Sequence, residues 1–324
     1  MTELLRQIPE NPVPNGATAG TMITADSRRI RYACFSSGGD KGTVVLLQGR
    51  NECIEKYFET VRDLAARGFS TATFDWRGQG GSERLLRDPR RGYIKSFDQY
   101  VIDLDQFFRE VVLPDCRPPY SVLAHSTGAL VALLAIPDLV NRVRRMTLSA
   151  PLLDLPTRVP TSLIRKLANL FYLTGLGSRY IIGAGRRGKP LPFLGNYVTS
   201  DADRYARNQA LVRAFPDLFI GAPTAAWLRA AFKAIDRVRD PAFMESVRLP
   251  ILFLSAGADR VVSTPAIERY ATGLRSGHVL TINGARHELL QEDDFYREQA
   301  LAAFEAFTIP QPGNRTEAEP TRAG

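Results

Sequence analysis

Hydrophobic positions along the chain follow two recurring patterns. Short runs of apolar residues recur, and most are followed by a segment in which apolar residues repeat every three or four positions. The first pattern is typical of parallel strands that are covered on both faces, and the second of amphipathic helices. Their alternation predicts an α/β protein with a mostly parallel sheet and helices on both faces. The predicted parallel strands are 43–47, 70–74, 120–123, 145–149, 250–254 and 278–282.

Two departures from this alternation define the predicted domain organisation. Residues 21–25 and 29–35 flank Asp26-Ser27 and predict a β-hairpin. After Pro151, residues 153–245 show several helical patterns and no convincing strand pattern. An insertion at this point lies over the carboxyl ends of the strands, where open α/β sheets bind ligands, so we interpret it as a cap. A helical subdomain that only adds stability is the alternative. The predicted division is a loose N-terminal arm (1–18), a core (19–152 and 246–308), the helical cap (153–245) and a disordered tail (309–324).

One serine lies at a predicted strand-to-helix turn. The segment from Ala124 to Gly128 reads Ala-His-Ser-Thr-Gly and joins the apolar run 120–123 to a helix that opens on small residues. Such a turn lifts the hydroxyl of Ser126 out of the sheet edge, and the helix N-terminus favours developing negative charge. The usual pattern is Gly-x-Ser-x-Gly, and Ala124 replaces its first glycine. An ordinary serine at a helix start is the alternative interpretation.

A serine nucleophile needs a base, and the base needs an acid that orients it. His287 follows the last predicted strand and opens at the same sheet edge as Ser126, so we expect it to be the base. Asp259 follows the preceding strand at that edge and is the expected orienting acid, with Asp236 and Asp240 as rivals. The chain order serine, aspartate, histidine is the order expected for an α/β-hydrolase triad. The two other histidines, His125 and His278, are expected to be structural.

The tetrahedral intermediate of acyl transfer needs two hydrogen-bond donors for its oxyanion. We predict that the backbone amides of Thr127 and Arg50 supply them, since Arg50 lies in the loop after the first parallel strand. Gly49 would let this loop approach a substrate closely. A plain strand-to-helix turn is an equally good interpretation of any one of these residues.

Composition and charge limit the kinds of binding partner that we expect. The chain has 42 basic and 34 acidic residues and a net charge of +8. The basic residues are scattered and form no nucleic-acid-binding motif, so we expect no nucleic-acid partner. The group Arg186, Arg187 and Lys189 could meet an anionic headgroup or membrane surface, or be a solvated loop.

Cysteine content and hydropathy indicate the cellular compartment in which we expect the protein. Three widely spaced cysteines predict reduced thiols, with neither a disulfide framework nor a zinc site. The first residues lack the apolar segment of a signal peptide, and no apolar run is long enough to span a bilayer. The expected protein is cytoplasmic and able to contact a membrane surface. Its oligomeric state stays open.

The motifs together resemble the α/β-hydrolase family, within its group of serine hydrolases that includes monoacylglycerol lipases and bacterial lysophospholipases of the L2 type. The resemblance covers roughly residues 20–308 and departs from the family at Gln48, where histidine is frequent, and at Ala124. It implies an eight-stranded, mostly parallel sheet with a cap after the sixth strand. It also implies ester hydrolysis through an acyl-serine, with no metal or organic cofactor. The matching segments are 48–49, 74–80, 124–128, 257–259 and 286–287, with 199–205, 221–224 and 227–228 in the cap.

Three functions are compatible with these residues. The first is a serine esterase acting on monoacyl lipids, namely lysophospholipids or monoacylglycerols. The second is a non-catalytic binding protein with the same fold, which a complete triad argues against. The third is an acyltransferase that uses the same triad with another acceptor. Leu163, Leu167 and Phe171, on one apolar stripe of the cap, are the candidate lining of an acyl channel, with a core role as the alternative.

Overall fold

The computed structural model describes residues 4–156, 159–181 and 192–309. Its centre is an eight-stranded sheet with the order β1-β2-β4-β3-β5-β6-β7-β8. The first two strands form the predicted hairpin, β2 pairs antiparallel with β4, and all further pairs are parallel. The predicted mostly parallel sheet is therefore confirmed. The strands are β1 (Ala17–Ile23), β2 (Arg29–Phe35), β3 (Thr43–Leu47), β4 (Ser70–Phe74), β5 (Tyr120–His125), β6 (Val143–Ser149), β7 (Ile251–Ala256) and β8 (Gly277–Ile282).

Helices cover both faces of this sheet. Every residue of β3 is buried, and its side chains alternate between two separate hydrophobic clusters. Val45 and Leu47 pack on one face, while Val44 and Leu46 pack on the other, as the period of two in a strand requires. The helices are α1 (Phe58–Ala66), α2 (Asp98–Phe107), α3 (Leu113–Asp115), α4 (Thr127–Leu134), α5 (Ile136–Leu139), α6 (Thr161–Leu173), α7 (Ala202–Ala214), α8 (Ala225–Val238), α9 (Pro241–Ser246), α10 (Thr264–Thr272) and α11 (Asp294–Thr308).

Among the described residues between β6 and β7, the chain forms the helices α6 to α9. The helix α8 is the most buried of them and packs against both α6 and α4. Arg186, Arg187, Lys189 and residues 310–324 lie outside the described part of the chain. In the ranges that the structure describes, no helix combines the length and the hydrophobicity that crossing a membrane requires.

The N-terminal arm differs from the expectation of a loose segment. Leu5 and Ile8 are buried, and the side-chain amide of Asn11 donates to the backbone carbonyl of Glu55 at 2.8 Å. The hairpin also begins earlier than expected, with Ala17. These buried contacts hold this polar, proline-bearing segment on the core. Its spacing of apolar residues is too sparse to have predicted this.

Candidate active site

Ser126 occupies the turn between β5 and α4 in a rare backbone conformation. Its φ is 51° and its ψ is −110°, which is unusual for a residue other than glycine. The turn is held because the Ser126 amide donates to the carbonyl of Ser149 at 2.9 Å, and the Ser126 carbonyl accepts from Leu152 at 3.1 Å. Neighbouring strand β6 and the chain after it therefore keep the hydroxyl above the carboxyl edge of the sheet.

His287 and Asp259 converge on this serine from two other loops. The Nε2 atom of His287 lies 3.2 Å from the Oγ of Ser126. The Nδ1 atom of His287 lies 2.7 Å from Oδ2 of Asp259, a residue that follows β7. The structure thus brings His287 together with Asp259, 28 positions away in the chain, and with Ser126, 161 positions away. A hydroxyl in such a chain of hydrogen bonds can lose its proton to the imidazole as it attacks a carbonyl.

The carboxyl group of Asp259 is held in the ionised state. Its side chain is fully buried, which alone would raise its pKa. The hydrogen bond from His287 and its charge, with the amides of Val261 and Val262, lower the pKa of Asp259 below its ordinary value. Those two amides donate to Oδ1 at 2.7 Å and 3.0 Å. The remaining oxygen therefore faces His287 as a fixed hydrogen-bond acceptor.

The competing acids and histidines lie elsewhere. Asp236 forms an ion pair with Arg165 at the surface, and Asp240 caps the N-terminus of α9. His278 is exposed on β8. His125 is buried beside the site, with its ring centroid 4.7 Å from that of His287, and burial lowers its pKa to about 3. His125 is therefore a neutral wall of the site rather than a second base.

The predicted oxyanion residues border the same space as Ser126. Gly49, Arg50 and Thr127 all line the cavity into which the serine opens. The amide of Gly49 is engaged by Oε2 of Glu52 at 2.5 Å, which fixes the loop that follows β3. The Arg50 side chain reaches over the ring of Trp227 on α8, with its guanidinium carbon 5.3 Å from the ring centroid. The loop is thus held from the core side and from the cap side.

The cavity above Ser126 has a volume of about 460 Å³, within the range of small-molecule sites. The predicted lining residues Leu163, Leu167 and Phe171 do not form it. Leu163 and Leu167 are 47% and 37% exposed on the outer side of α6. The cap helices α7 and α8 contribute to the lining instead. The apolar wall of the cavity includes Leu152, Trp227, Leu228, Ala231, Phe232 and Ile235.

A second wall of the cavity is charged and was missed by sequence reasoning. The ammonium of Lys56 lies 2.6 Å from Glu52 and 2.7 Å from Glu288. Burial would raise the pKa of Glu52, but the charge of Lys56 and its hydrogen bonds lower that pKa to about 2. The spacing of Glu52 and Lys56, four residues apart, is the local signal that was available. The polar wall includes Glu52, Lys56, His125, Asn208, Gln209 and Glu288.

Across the described ranges, no three or more histidine, cysteine or acidic side chains are grouped in a way that could hold a metal ion. The acids nearest the serine are already committed, Asp259 to His287 and Glu52 to Lys56.

Both the sequence and the fold are similar to those of known proteins. Residues 38–294 match the family Hydrolase_4, described as serine aminopeptidase, S33. Lysophospholipase L2 of Escherichia coli K12 is 33% identical over 290 residues, which cover 87% of this chain and 84% of that protein. A soluble variant of monoglyceride lipase from Saccharomyces cerevisiae superposes with a TM-score of 0.71 at 16% identity, covering 94% of this chain and 97% of the other. A carboxyl esterase from Bacillus coagulans superposes with a TM-score of 0.69 at 16% identity, covering 90% and 97%. The chain therefore belongs to the Hydrolase_4 family of serine hydrolases and has the α/β-hydrolase fold.

Proposed function

We propose that this protein hydrolyses the carboxylic ester of monoacyl lipids, with lysophospholipids or monoacylglycerols as substrates. The observation that carries the proposal is the hydrogen-bonded series Ser126, His287 and Asp259 at the floor of a cavity with one apolar and one charged wall. A monoacyl lipid has the same division into an apolar chain and a polar headgroup, joined by the ester. Relatives named lysophospholipase and monoglyceride lipase support this substrate class.

In the acylation step, Oγ of Ser126 attacks the ester carbonyl and Nε2 of His287 takes its proton. Asp259 holds the imidazole in position and stabilises its positive charge. The backbone amides of Arg50 and Thr127 donate to the oxyanion of the tetrahedral intermediate. When the intermediate collapses, His287 returns the proton to the leaving alcohol, and the acyl group remains on Ser126.

In the deacylation step, water replaces the alcohol. His287 removes a proton from the water, which attacks the acyl-serine carbonyl, and the same amides stabilise the second oxyanion. Collapse returns the proton to Oγ of Ser126 and releases the fatty acid. Each step moves protons only through His287, so the mechanism requires neither a metal ion nor an organic cofactor.

The two walls of the cavity suggest how the substrate is oriented. The acyl chain would lie along the apolar wall of α8, where Trp227, Leu228 and Phe232 are each at least nine-tenths buried. The headgroup would meet the polar wall, where Glu52, Lys56 and Glu288 offer charged hydrogen-bonding groups. In this arrangement residues 153–245 act as the cap, because they supply most of the surface that would cover the acyl chain of the substrate.

The outer side of the cap fits a peripheral contact with an anionic membrane surface. On α6, Leu163, Leu170 and Leu173 are 47%, 55% and 78% exposed, next to the exposed Lys166. Exposed leucines beside a cation, on a protein of net charge +8, complement an anionic lipid interface. We propose a cytoplasmic enzyme that takes its substrate from such an interface. Replacing Leu173 with aspartate should reduce sedimentation with phosphatidylglycerol vesicles and leave hydrolysis of a water-soluble ester unchanged.

Fatty acid release tests the proposed activity. We expect release from lysophosphatidylcholine, lysophosphatidylethanolamine or monoacylglycerol, and its loss in Ser126→Ala. The matched control is Ser149→Ala, since the Ser149 hydroxyl is buried beside the turn with no hydrogen-bond partner among the described residues. If the protein hydrolysed only short water-soluble esters, the serine mechanism would be supported and the proposed lipid substrates would be wrong.

Two further outcomes separate the alternatives. No release from any ester, with no labelling of Ser126 by a fluorophosphonate, would favour a binding protein. Transfer of the acyl group to added glycerol in preference to water would indicate an acyltransferase.

A further inference from the structure

Two cysteines meet at the edge of the sheet opposite Ser126. Cys34 lies near the end of β2, and Cys116 follows α3 directly. Their sulfur atoms are 3.8 Å apart, although the residues are 82 positions apart in the chain. Because β2 runs antiparallel to β4, the end of β2 that carries Cys34 lies towards the amino edge of the parallel strands, whereas the serine lies at their carboxyl edge.

Neither of these two cysteines is fully buried. Each cysteine is partly exposed, and both border a cavity of about 490 Å³ that also contacts Tyr32, Asp115 and Arg117. The third cysteine, Cys53, is fully buried. Location and access thus separate the pair from both the active site and the remaining thiol.

The two thiols also differ in acidity. A hydrogen bond between them lowers the pKa of Cys116, because the Cys34 thiol stabilises its thiolate, and it raises the pKa of Cys34. Burial and the nearby carboxylate of Asp115 oppose the ionisation of both. Cys116 is therefore the thiol that ionises first and reacts first with an electrophilic sulfur.

We propose that Cys34 and Cys116 form a redox modification site, which small disulfides oxidise to an intramolecular disulfide. The thiolate of Cys116 attacks one sulfur of a disulfide such as oxidised glutathione and expels one glutathione thiolate. Cys34 loses its proton to solvent and attacks Sγ of Cys116 in the mixed disulfide, expelling the second glutathione thiolate. The two cysteines lose two electrons, the reagent gains them, and the two released protons match the two glutathione thiols formed.

The cross-link should stabilise the fold without changing catalysis. It would tie β2 to the segment that enters β5, and so would close a long loop in the unfolded chain. We expect the thermal midpoint to rise by about 5 °C on oxidation. Ester hydrolysis should stay within about twofold, because the bond forms at the far edge of the sheet from Ser126.

The test uses the full-length protein and oxidised glutathione. After incubation, free thiols are alkylated with N-ethylmaleimide, and unreduced peptides are analysed by mass spectrometry. The expected product is one peptide pair joined through Cys34 and Cys116, reversible by dithiothreitol, with Cys53 free. The Cys53→Ala variant should form the same cross-link. The Cys34→Ser variant should stop at glutathione on Cys116 and show no rise in thermal midpoint.

Three results would overturn the proposal. They are a stable glutathione adduct on wild-type Cys116 without a cross-link, no reaction at either thiol, and a cross-link that involves Cys53. The wild-type mass measurement decides among these even if a serine variant fails to fold.

Discussion

Gly128 lies so close to the backbone of Gln48 that a Cβ atom on it would be 2.4 Å from the Gln48 carbonyl oxygen. Gly128 is in the first turn of α4, and Gln48 begins the loop that follows β3. The helix that carries the Thr127 amide and the loop that carries the Arg50 amide are therefore held together by direct backbone contact. Only glycine leaves room for this approach.

Replacing Gly128 with alanine should separate these two elements. The neighbour is backbone and cannot rotate away, so the loop or the helix must shift. We expect kcat for a soluble ester to fall by about 10- to 100-fold, because oxyanion stabilisation depends on donor position. Val131→Ala is the control, since it opens a space in the same buried helix, one turn after Gly128. Wild-type kcat in folded Gly128→Ala would contradict this role for the contact.

Asp259 should be required for catalysis. Asparagine at this position can present an N–H group to His287 and favour the wrong tautomer, so we expect kcat to fall by about 10³- to 10⁴-fold. Asp240→Asn, which preserves the cap of α9, should retain wild-type kcat. Steady-state kinetics with a chromogenic ester measures both, and circular dichroism checks that both variants fold. A small loss in Asp259→Asn would assign the orienting role to another group.

Burial of His125 should make stability depend on pH. Its pKa falls from an ordinary 6.5 to about 3 in the folded protein. In the window between those values the unfolded chain binds a proton that the folded chain excludes, so stability increases as pH rises through it. In His125→Gln, the midpoint of urea unfolding should change less with pH across this window than it does in the wild type. The variant His278→Gln, at an exposed histidine of β8, is the control for the change from histidine to glutamine.

Glu59 should anchor the cap to the core. This residue of α1 accepts hydrogen bonds from Arg204 at 2.7 Å and Arg207 at 2.6 Å, both on α7. Glu59→Gln would leave two neighbouring cations without their shared counter-charge. We expect trypsin to cleave between β6 and β7 about tenfold faster than in the wild type. Asp294→Asn removes one exposed partner of Arg204. Trypsin should cleave this variant at nearly the wild-type rate.

Phe232 should contribute to the preference for long acyl chains. It lies on the apolar wall and is 5% exposed. Phe232→Ala should lower kcat/KM for a long-chain ester by about tenfold and leave an acetyl ester nearly unchanged. Leu163→Ala is the matched control from the outer side of α6 and should affect neither soluble ester. Equal losses for long and short esters in Phe232→Ala would argue against its contact with the chain.

The sequence by itself determined the features that depend on local patterns. Continuous apolar runs predicted the parallel strands, because strands covered on both faces are apolar throughout. Apolar residues repeated every three or four positions predicted the helices, including the inserted ones, because that spacing places them on one face. The strand-loop positions of Ser126, Asp259 and His287 predicted their meeting, since parallel strands end at one edge. A short motif and its chain order were enough for that.

The tertiary structure alone decided which side chains surround the substrate. The cap helices α6 and α8 both carry apolar stripes, and only their packing shows that α8 faces Ser126 while the leucines of α6 remain exposed. Lys56 and Glu288 are joined across more than two hundred residues, and Cys34 and Cys116 across 82. Such contacts depend on how segments that are distant in the chain pack against each other and pair their buried charges. Local propensity and periodicity carry no information about either.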